Sequence, residues 1–257
     1  MIKVAVLLSI GRHPSSGRAR RAPLDARALE LALRLPDADI HAIHAGDPSE
    51  PVLRDYLGMG LKRLTVLEIS PESDPVPALV AHLRKLGPDL IFAGRCAERG
   101  EDSGMIPYTV AQTLGHPLLS DVADVTVNQG LASLIQALPR GRRRLAELRL
   151  PFVAAVHPAA PEPRQSAFAR GRRGIIDAVA AQSEHDVFAR ECEIRPWRLR
   201  PRRLRLASGG SALERLKAVT ETKSGQGQVL IGPSPDEAAR AIYDYLLERR
   251  MIDAPSE

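Results

Sequence analysis

The first 114 residues alternate between short apolar runs and helical patterns, and this alternation constrains the fold more than any other feature. Residues 2–10 are nearly all apolar, as expected for a strand with both sheet faces covered. From Pro23 the apolar residues fall on one face of a helix, which Pro36 ends. Strands are predicted at 2–10, 39–45, 64–69 and 89–93, and helices at 23–35, 50–58, 75–86 and 106–114. Four such units predict an open, mostly parallel, doubly wound α/β sheet.

After the fourth helix the alternation stops. Apolar runs at residues 122–127 and 131–138, joined by a polar turn, predict an added antiparallel hairpin. Residues 145–156 predict one further strand, in which Pro151 indicates an edge position or a bend.

The C-terminal third has few long apolar runs. Three prolines soon after Val156 and the runs of Arg predict an extended arm over residues 160–230 rather than a second domain. Ser234 as N-cap and Pro235 at the first helical position predict a final amphipathic helix. Such a helix needs a packing surface, which is either its own domain or a second chain.

The basic residues are concentrated in runs of Arg, and the net charge is +5. The runs lie at residues 18–21, 140–144, 170–173 and 195–205. A nucleic-acid-binding protein would use such runs on phosphates, but interleaved aromatic residues and a nucleic-acid-binding motif are missing from the sequence. A solvated or protein-facing basic surface, suited to an acidic partner, is favoured over nucleic-acid binding.

Cysteine usage and hydropathy indicate a reducing, cytoplasmic setting. Cys96 and Cys192 are too far apart for a disulfide framework or a cysteine zinc site. No stretch approaches the roughly 20 apolar residues of a membrane helix. The apolar N-terminus has no basic leader and no cleavage site, so it predicts a strand rather than a signal peptide.

Sequence motifs of catalysis are missing. The chain has no Walker A motif, no G-x-G-x-x-G after the first strand, no H-E-x-x-H and no G-x-S-x-G. His41 and His44 lie three apart in one predicted strand, so they point to opposite faces and make a poor metal pair. Cys96 is more consistent with a small loop residue than with a nucleophile, because no base is evident beside it. Neither a catalytic residue nor a metal site is expected.

The segment from Gly94 to Pro107 is the strongest local indication of a binding site. It follows the fourth strand, and ligands of open α/β sheets bind beyond the carboxyl ends of the strands. It also leads into a helix N-terminus, where backbone N–H groups bind anions such as phosphate. An ordinary loop with Asp102 or Ser103 as the helix cap explains the spacing equally well, and both alternatives stay open.

Several segments carry a family resemblance. A-P-L-D-A-R-A-L-E-L-A-L-R-L at 22–35 is similar to a family helix N-P-[FL]-[DC]-E-x-A-x-E-x-A-x-[RK]-L, and Y-L-G-M-G-L-K-R at 56–63 to a turn A-M-G-A-D-R. The other matches are D-L-I-F-A-G at 89–94, E-D-S-G-M-I-P at 101–107, V-A-Q-T-L-G-H-P at 110–117, and L-P-F-V-A-A-V at 150–156 followed by E-P-R at 162–164. In this order and spacing, over residues 1–176 and the final helix, the chain resembles the beta subunit of electron transfer flavoproteins.

The resemblance implies a heterodimer with a larger alpha subunit that holds the redox FAD, one side of which the beta subunit covers. Most members also bury an AMP in the beta subunit, and a second FAD replaces it in bifurcating relatives. The complex would take electrons from flavoprotein dehydrogenases and pass them to a quinone-linked membrane acceptor. The chain would then be part of an electron carrier rather than a catalyst of its own, since the cofactor does the chemistry.

The resemblance also implies site residues. Nucleotide contacts are expected at Leu7, Ser9, Ala22, Pro23, Leu24, Asp25, Ala45, Gly46, Gly94, Asp102, Ser103, Gly104, Met105, Ile106 and Pro107. The segment around Glu162, Pro163 and Arg164 resembles the loop that docks the dehydrogenase. Phe168 falls where the family usually has Leu, and it is favoured as an apolar interface anchor over a packed loop residue.

The chain departs from the family at several positions. Ala22 replaces an Asn that would bind the nucleotide, and Met105, Ile106 and Pro107 replace Gln, Thr or Val, and Gly. AMP, a second FAD and an empty pocket therefore stay open as alternatives. The polar loop at 11–22 is shorter than usual, so the family's hairpin is expected to be missing there.

These departures indicate a divergent branch, for which we expect a donor from amine or betaine demethylation. The expected organisation is an α/β domain at residues 1–176, then an Arg-rich arm and C-terminal helix at 177–257 that packs on the partner subunit. The alternative functions are a stand-alone adenine-nucleotide-binding module and, less favoured, a basic nucleic-acid-binding protein.

Overall fold

The structure is a computed structural model, which describes residues 1–98, 103–193, 195, 211 and 230–248. The chain divides into two units, Met1–Ile194 and Arg195–Glu257, and each is described by itself. Asp102, Trp197 and most of the Arg run at 195–205 lie outside the described residues.

The described strands are, in chain order, β1 (Ile2–Leu8), β2 (Ile10–Arg12), β3 (Ala19–Arg21), β4 (Ala38–Gly46), β5 (Arg63–Glu68), β6 (Ser73–Asp74), β7 (Leu90–Gly94), β8 (Leu118–Asn128), β9 (Leu131–Ala137), β10 (Arg143–Arg149), β11 (Phe152–Val156), β12 (Ile175–Ala180) and β13 (Glu184–His185). The described α-helices are α1 (Pro23–Arg34), α2 (Leu53–Leu57), α3 (Pro75–Leu86), α4 (Ile106–Leu114), α5 (Phe168–Arg173), α6 (Val187–Glu191) and α7 (Pro235–Glu248).

Nine strands form one sheet in the order β10-β9-β8-β11-β7-β1-β4-β5-β12. Every pairing from β8 to β12 across this order is parallel, and only β8-β9 and β9-β10 are antiparallel. The predicted doubly wound sheet with an added antiparallel hairpin is confirmed.

The two faces of the sheet bury separate apolar cores. Alternate residues of β1 point to opposite sides, so Val4 and Val6 pack with α1 and α2, while Ala5 and Leu7 pack with α3 and α4. Helices therefore cover both faces, which explains why β1 is apolar at nearly every position.

The expectation of a plain loop at residues 11–22 is wrong. Strands β2 and β3 form a small antiparallel hairpin there, in which Ile10 pairs with Arg21 and Arg12 with Ala19. Its side chains are too polar for an apolar alternation to mark the strands, so the sequence pattern did not indicate them.

The prediction of a single strand at residues 145–156 is also wrong. β10 is an edge strand antiparallel to β9, whereas β11 is a central strand between β7 and β8. Pro151 separates the two, so it marks a bend, and all five residues of β11 are buried.

The extended arm expected from residue 160 is interrupted by regular structure. Helix α5 is followed by β12, which pairs in parallel with β5. The nine-stranded sheet therefore includes residues up to Ala180. Within the second unit, α7 begins as predicted, because Ser234 Oγ accepts from Glu237 N at 3.3 Å while the Glu237 carboxylate accepts from Ser234 N at 2.9 Å. Among the described helices, none is both long and apolar enough to cross a membrane.

Candidate functional site

One buried carboxylate, that of Asp25, joins the ends of two central strands to the start of α1. Its Oδ2 accepts from the backbone N–H of Ser9 at 2.7 Å and from the Ser9 hydroxyl at 2.5 Å. Its Oδ1 accepts from the backbone N–H of Gly94 at 2.9 Å. Three predicted site residues therefore meet at the carboxyl edge of the sheet, and two of them, Asp25 and Gly94, lie 69 positions apart in sequence.

The local sequence explains why Asp25 is available for this role. Pro23 lies in the first turn of α1 and has no N–H to be capped, while Ala22 at the N-cap position has no side-chain acceptor. Asp25 points away from its own helix and satisfies the N–H groups of Ser9 and Gly94 just beyond β1 and at the end of β7.

Tyr56 of α2 completes this network. Its hydroxyl donates to the carbonyl oxygen of Ser9 at 2.8 Å and accepts from the backbone N–H of Ala22 at 2.9 Å. The side chain is fully buried, and burial raises its pKa well above the usual range, so the hydroxyl stays protonated. Tyr56 is not among the site residues predicted from the sequence. The available signal was a Tyr among apolar residues, since a buried hydroxyl needs a partner.

Burial raises the pKa of Asp25 to about 6, although the hydrogen bonds from Ser9 and Gly94 act in the opposite direction. The nearby Glu98 carboxylate adds to the increase. Asp25 is therefore largely ionised at neutral pH, and it holds its three donors through charge-assisted bonds.

The predicted binding glycines are packed against this chain's own atoms. A Cβ on Gly94 would lie 2.5 Å from Asp25 Oδ1, and one on Gly46 would lie 2.6 Å from the His44 ring. Gly104, with a φ of +69°, would place a Cβ 2.5 Å from the carbonyl oxygen of Arg95. These glycines therefore permit close packing of the chain against itself.

The β2–β3 hairpin closes over the same edge of the sheet. Arg20 in β3 forms a two-point ion pair with Glu98 after β7, with Nη2–Oε1 at 2.5 Å and Nε–Oε2 at 3.1 Å. A Cβ on Gly11 would meet the same carboxylate, so the hairpin and the loop lie in direct contact. Glu98 also makes a small contribution to the increase in the pKa of Asp25, which burial dominates.

The other predicted nucleotide residues lie around this network without joining it. Leu7 is buried in the core that includes α3, and Ala45 pairs with Leu67 of β5. Pro23 and Leu24 are half-buried at the start of α1, with the Leu24 Cβ against Gly94. Of the segment that leads into α4 and begins the helix, the structure describes five predicted residues: exposed Ser103 and Met105, half-buried Gly104 and Ile106, and buried Pro107.

The predicted docking residue Arg164 is engaged within the chain. Its Nε donates to Glu30 Oε2 at 2.8 Å and its Nη2 to Glu30 Oε1 at 3.1 Å, while Arg34 Nε donates to Oε1 at 3.0 Å. Burial acts to raise the pKa of Glu30, but these hydrogen bonds outweigh it and lower the pKa to about 2. The ion pair attaches the segment to α1 and makes Arg164 a positioning residue.

The neighbouring docking residues are more accessible. The Glu162 side chain is 88% exposed and lies 3.7 Å from Arg27 Nη2, and Pro163 is half-buried. Phe168, the first residue of α5, is 79% exposed. An aromatic side chain with this exposure is consistent with the predicted interface anchor.

Replacing Glu30 with Gln is expected to lower the free energy of unfolding by about 1.5 kcal/mol at pH 7, since two charge-assisted contacts are lost. The native pKa of Glu30, about 2, is below its ordinary 4.5. Its ionisation therefore stabilises the fold above pH 4.5, and this contribution is lost as pH falls toward 2. Urea unfolding at pH 7 and at pH 3 measures the difference.

Glu162→Gln is the matched control, because it removes a similar charge from an exposed site. Glu162→Gln should leave the unfolding midpoint unchanged, and the difference in free energy of unfolding between wild type and Glu30→Gln should be smaller at pH 3 than at pH 7. An equal gap at both pH values would show that Glu30 is not stabilised as an anion.

The comparisons with known proteins agree with this architecture. The family described as electron transfer flavoprotein domain matches residues 15–184. The chain is also 44% identical over 256 residues to electron transfer flavoprotein subunit beta of Chromohalobacter salexigens, a match that covers 98% of this chain and 96% of that protein. Matched over nearly its whole length and folded as the resemblance implied, the chain belongs to the electron transfer flavoprotein beta subunit family.

Proposed function

We propose that this chain is the beta half of a heterodimer, in which an alpha subunit carries FAD and the pair shuttles electrons in the cytoplasm. The full-length match to a beta subunit is the observation that carries this proposal. The structure is consistent with it, because Asp25, Tyr56 and the Arg20–Glu98 pair cross-link the sheet edge. Such an edge suits a scaffold that positions a second chain.

FAD, held mainly by the alpha subunit, would supply the redox chemistry of the pair. The described residues of this chain would cover and orient it: the hairpin at 10–21 presents a surface whose position is set by Arg20 and Glu98. Electrons would enter from flavoprotein dehydrogenases, for which we retain enzymes of amine or betaine demethylation as the expected class. They would leave to a quinone-linked acceptor at the membrane.

Ser9, Asp25 and Gly94, which were predicted to contact a nucleotide, are not available to hold AMP. Ser9 and Gly94 donate to Asp25, and Asp25 accepts from both, so these polar groups are used within the chain. The carboxylates of Asp25 and Glu98 also add negative charge beside these donors, which opposes binding of an anion there. We therefore assign no functional step to a nucleotide in this subunit.

The C-terminal helix would provide a surface for the alpha subunit. In α7, Ala238, Ala241, Ile242 and Tyr245 lie along one face, and Ile242 is 62% exposed and Tyr245 44% exposed. Exposed apolar side chains on an amphipathic helix are typical of an interface. We propose that this helix packs on the partner subunit.

Co-expression with an electron transfer flavoprotein alpha subunit tests the proposal. We expect a yellow 1:1 complex that contains FAD in size-exclusion chromatography, and a weaker complex from Ile242→Glu than from Asp244→Ala. Asp244→Ala alters the same helix outside the apolar face. A colourless chain that stays monomeric beside the alpha subunit would reject the heterodimer.

A further inference from the structure

The strand order of the sheet marks one position at which a ligand is expected. The chain runs outward from β1 through β4 to β5, and it then returns to the other side of β1 with β7. In open α/β sheets such a reversal leaves a crevice at the carboxyl ends of the two strands, and ligands bind there. In this chain the crevice lies between Ser9, which follows β1, and Gly94, the last residue of β7.

The Asp25 carboxylate spans this crevice from the first turn of α1. One oxygen accepts from the N–H and the hydroxyl of Ser9, and the other oxygen accepts from the N–H of Gly94. Asp25 is only 5% exposed. Backbone N–H groups in such a position are the usual donors to an anionic ligand. The donors on both sides of the crevice are therefore engaged by an anion that belongs to the chain itself.

The N-termini of the two helices that follow β1 and β7 in this layout offer fewer donors than usual. Pro23 in the first turn of α1 and Pro107 in the first turn of α4 each lack an N–H. The Met105 N–H just before α4 donates to the Ser103 hydroxyl at 3.4 Å. Because anion binding at a helix N-terminus depends on free N–H groups, both helix ends are weakened as phosphate sites.

A cation at this edge is also engaged within the chain. The Arg20 guanidinium of the β2–β3 hairpin donates to the Glu98 carboxylate at two points. A phosphate would have to compete with Glu98 for Arg20 and with Asp25 for the backbone donors. Both sets of hydrogen bonds are charge-assisted, so a phosphate gains little by replacing either carboxylate.

The charge of Asp25 opposes a second anion in the crevice. Burial raises the pKa of Asp25 to about 6, so the carboxylate is the main form at neutral pH. An incoming phosphate would either displace this carboxylate from its donors or lie beside it. Displacement leaves a buried charge without its hydrogen bonds, and binding beside it brings two negative charges together.

We propose that Asp25 is a built-in substitute for the anionic group of a bound nucleotide, so that this beta subunit folds and pairs with its alpha subunit without AMP. The carboxylate closes the crevice between β1 and β7 from within the chain, and it satisfies the donors on both sides. The inference goes beyond the proposed function, since the FAD of the alpha subunit would carry the electrons with or without AMP.

The nucleotide content of the flavin-containing heterodimer tests the proposal. The complex is purified without added nucleotide and denatured in cold acid, and the released nucleotides are separated by chromatography. We expect FAD with no more than traces of AMP, and a melting temperature of the complex that does not change when AMP is added. One AMP per heterodimer would overturn the proposal, and so would a rise in melting temperature with AMP.

Failure of the proposed function looks different, because no yellow heterodimer would then form. The full-length beta chain alone, denatured and analysed in the same way, still reports whether AMP is bound.

Chemical rescue tests the role of the Asp25 carboxylate itself. Asp25→Ala leaves the donors of Ser9 and Gly94 beside a space that formate can fill. We expect about 0.1 M sodium formate to raise the melting temperature of Asp25→Ala by about 3 °C relative to the same concentration of sodium chloride.

Asp25→Asn and wild type are the matched controls, because in both proteins a side chain still fills the space. Their melting temperatures should be the same in formate as in chloride. A folded Asp25→Ala protein that responds equally to the two salts would overturn the proposal. If Asp25→Ala does not fold, the AMP content of the wild-type complex decides between the two outcomes.

Discussion

Replacing Asp25 with Asn is expected to lower the free energy of unfolding by about 3 kcal/mol at pH 7, because the amide cannot accept all three hydrogen bonds. The Asn carbonyl oxygen can replace one carboxylate oxygen, but the Asn NH2 group then faces an N–H donor. That donor belongs to Ser9 or to Gly94, and both bonds lie at the buried edge of the sheet. Urea unfolding followed by circular dichroism measures the loss.

The pH dependence separates this cause from a general packing defect. The native pKa of Asp25, about 6, lies above its ordinary 3.8, so the wild-type protein takes up a proton at Asp25 on folding between these values. This proton uptake stabilises the wild type as pH falls from 7 to 5, and it does not occur in Asp25→Asn. The difference in free energy of unfolding between wild type and Asp25→Asn should therefore be larger at pH 5 than at pH 7.

Asp55→Asn is the control for this change, since Asp55 is an exposed residue of α2. The free energy of unfolding of Asp55→Asn should lie within about 0.5 kcal/mol of the wild-type value, as is usual for surface substitutions. An Asp25→Asn protein as stable as Asp55→Asn would contradict the role given to the buried carboxylate.

Replacing Tyr56 with Phe is expected to lower the free energy of unfolding by about 2 kcal/mol, because the ring is kept and only the bridging hydroxyl is lost. The Ser9 carbonyl and the Ala22 N–H would each lose a partner at 2.8 and 2.9 Å, inside a region where water cannot replace it. Thermal and urea unfolding of the two proteins report the difference.

Tyr108→Phe is the matched control, because Tyr108 is 42% exposed on α4 and its hydroxyl can contact water. The double change Tyr56→Phe with Asp25→Asn should cost less than the sum of the single changes, since both act on Ser9. Strict additivity would show that the two residues do not form one network.

Local chemistry explains which elements could be predicted from the sequence. Helix α3 has the predicted bounds, Pro75–Leu86, because Asp74 accepts from the Val76 N–H at 2.9 Å and Gly87 ends the helix with a φ of 60°. These signals act within a few residues, and both are visible in the sequence.

Elements that depend on distant partners were missed or misjudged. The β2–β3 hairpin is held by Arg20 against Glu98, 78 positions away, and β12 is a strand because Ile175–Ala180 pairs with β5. β11 is buried at the sheet centre, although Pro151 lies beside it. Long-range pairing of this kind leaves no local pattern to read.

The candidate site shows the same division. The family pattern placed Ser9, Asp25 and Gly94 in one site, and in the structure Ser9 and Gly94 both donate hydrogen bonds to Asp25. The family pattern did not indicate that Ser9 and Gly94 would bind Asp25, nor that Tyr56 would bind Ser9. These hydrogen bonds follow from tertiary geometry. The engagement of Arg164 by Glu30 is also a tertiary contact, between residues 134 positions apart.

Anaerobic rapid mixing of the co-purified heterodimer with a substrate-reduced amine-demethylating dehydrogenase tests the electron-carrier proposal most directly. We expect the flavin of the heterodimer to be bleached as that of the dehydrogenase is reoxidised, with one FAD reacting per pair of subunits. An intact FAD-containing heterodimer whose flavin stays oxidised beside reduced dehydrogenases of this and other classes would contradict the account.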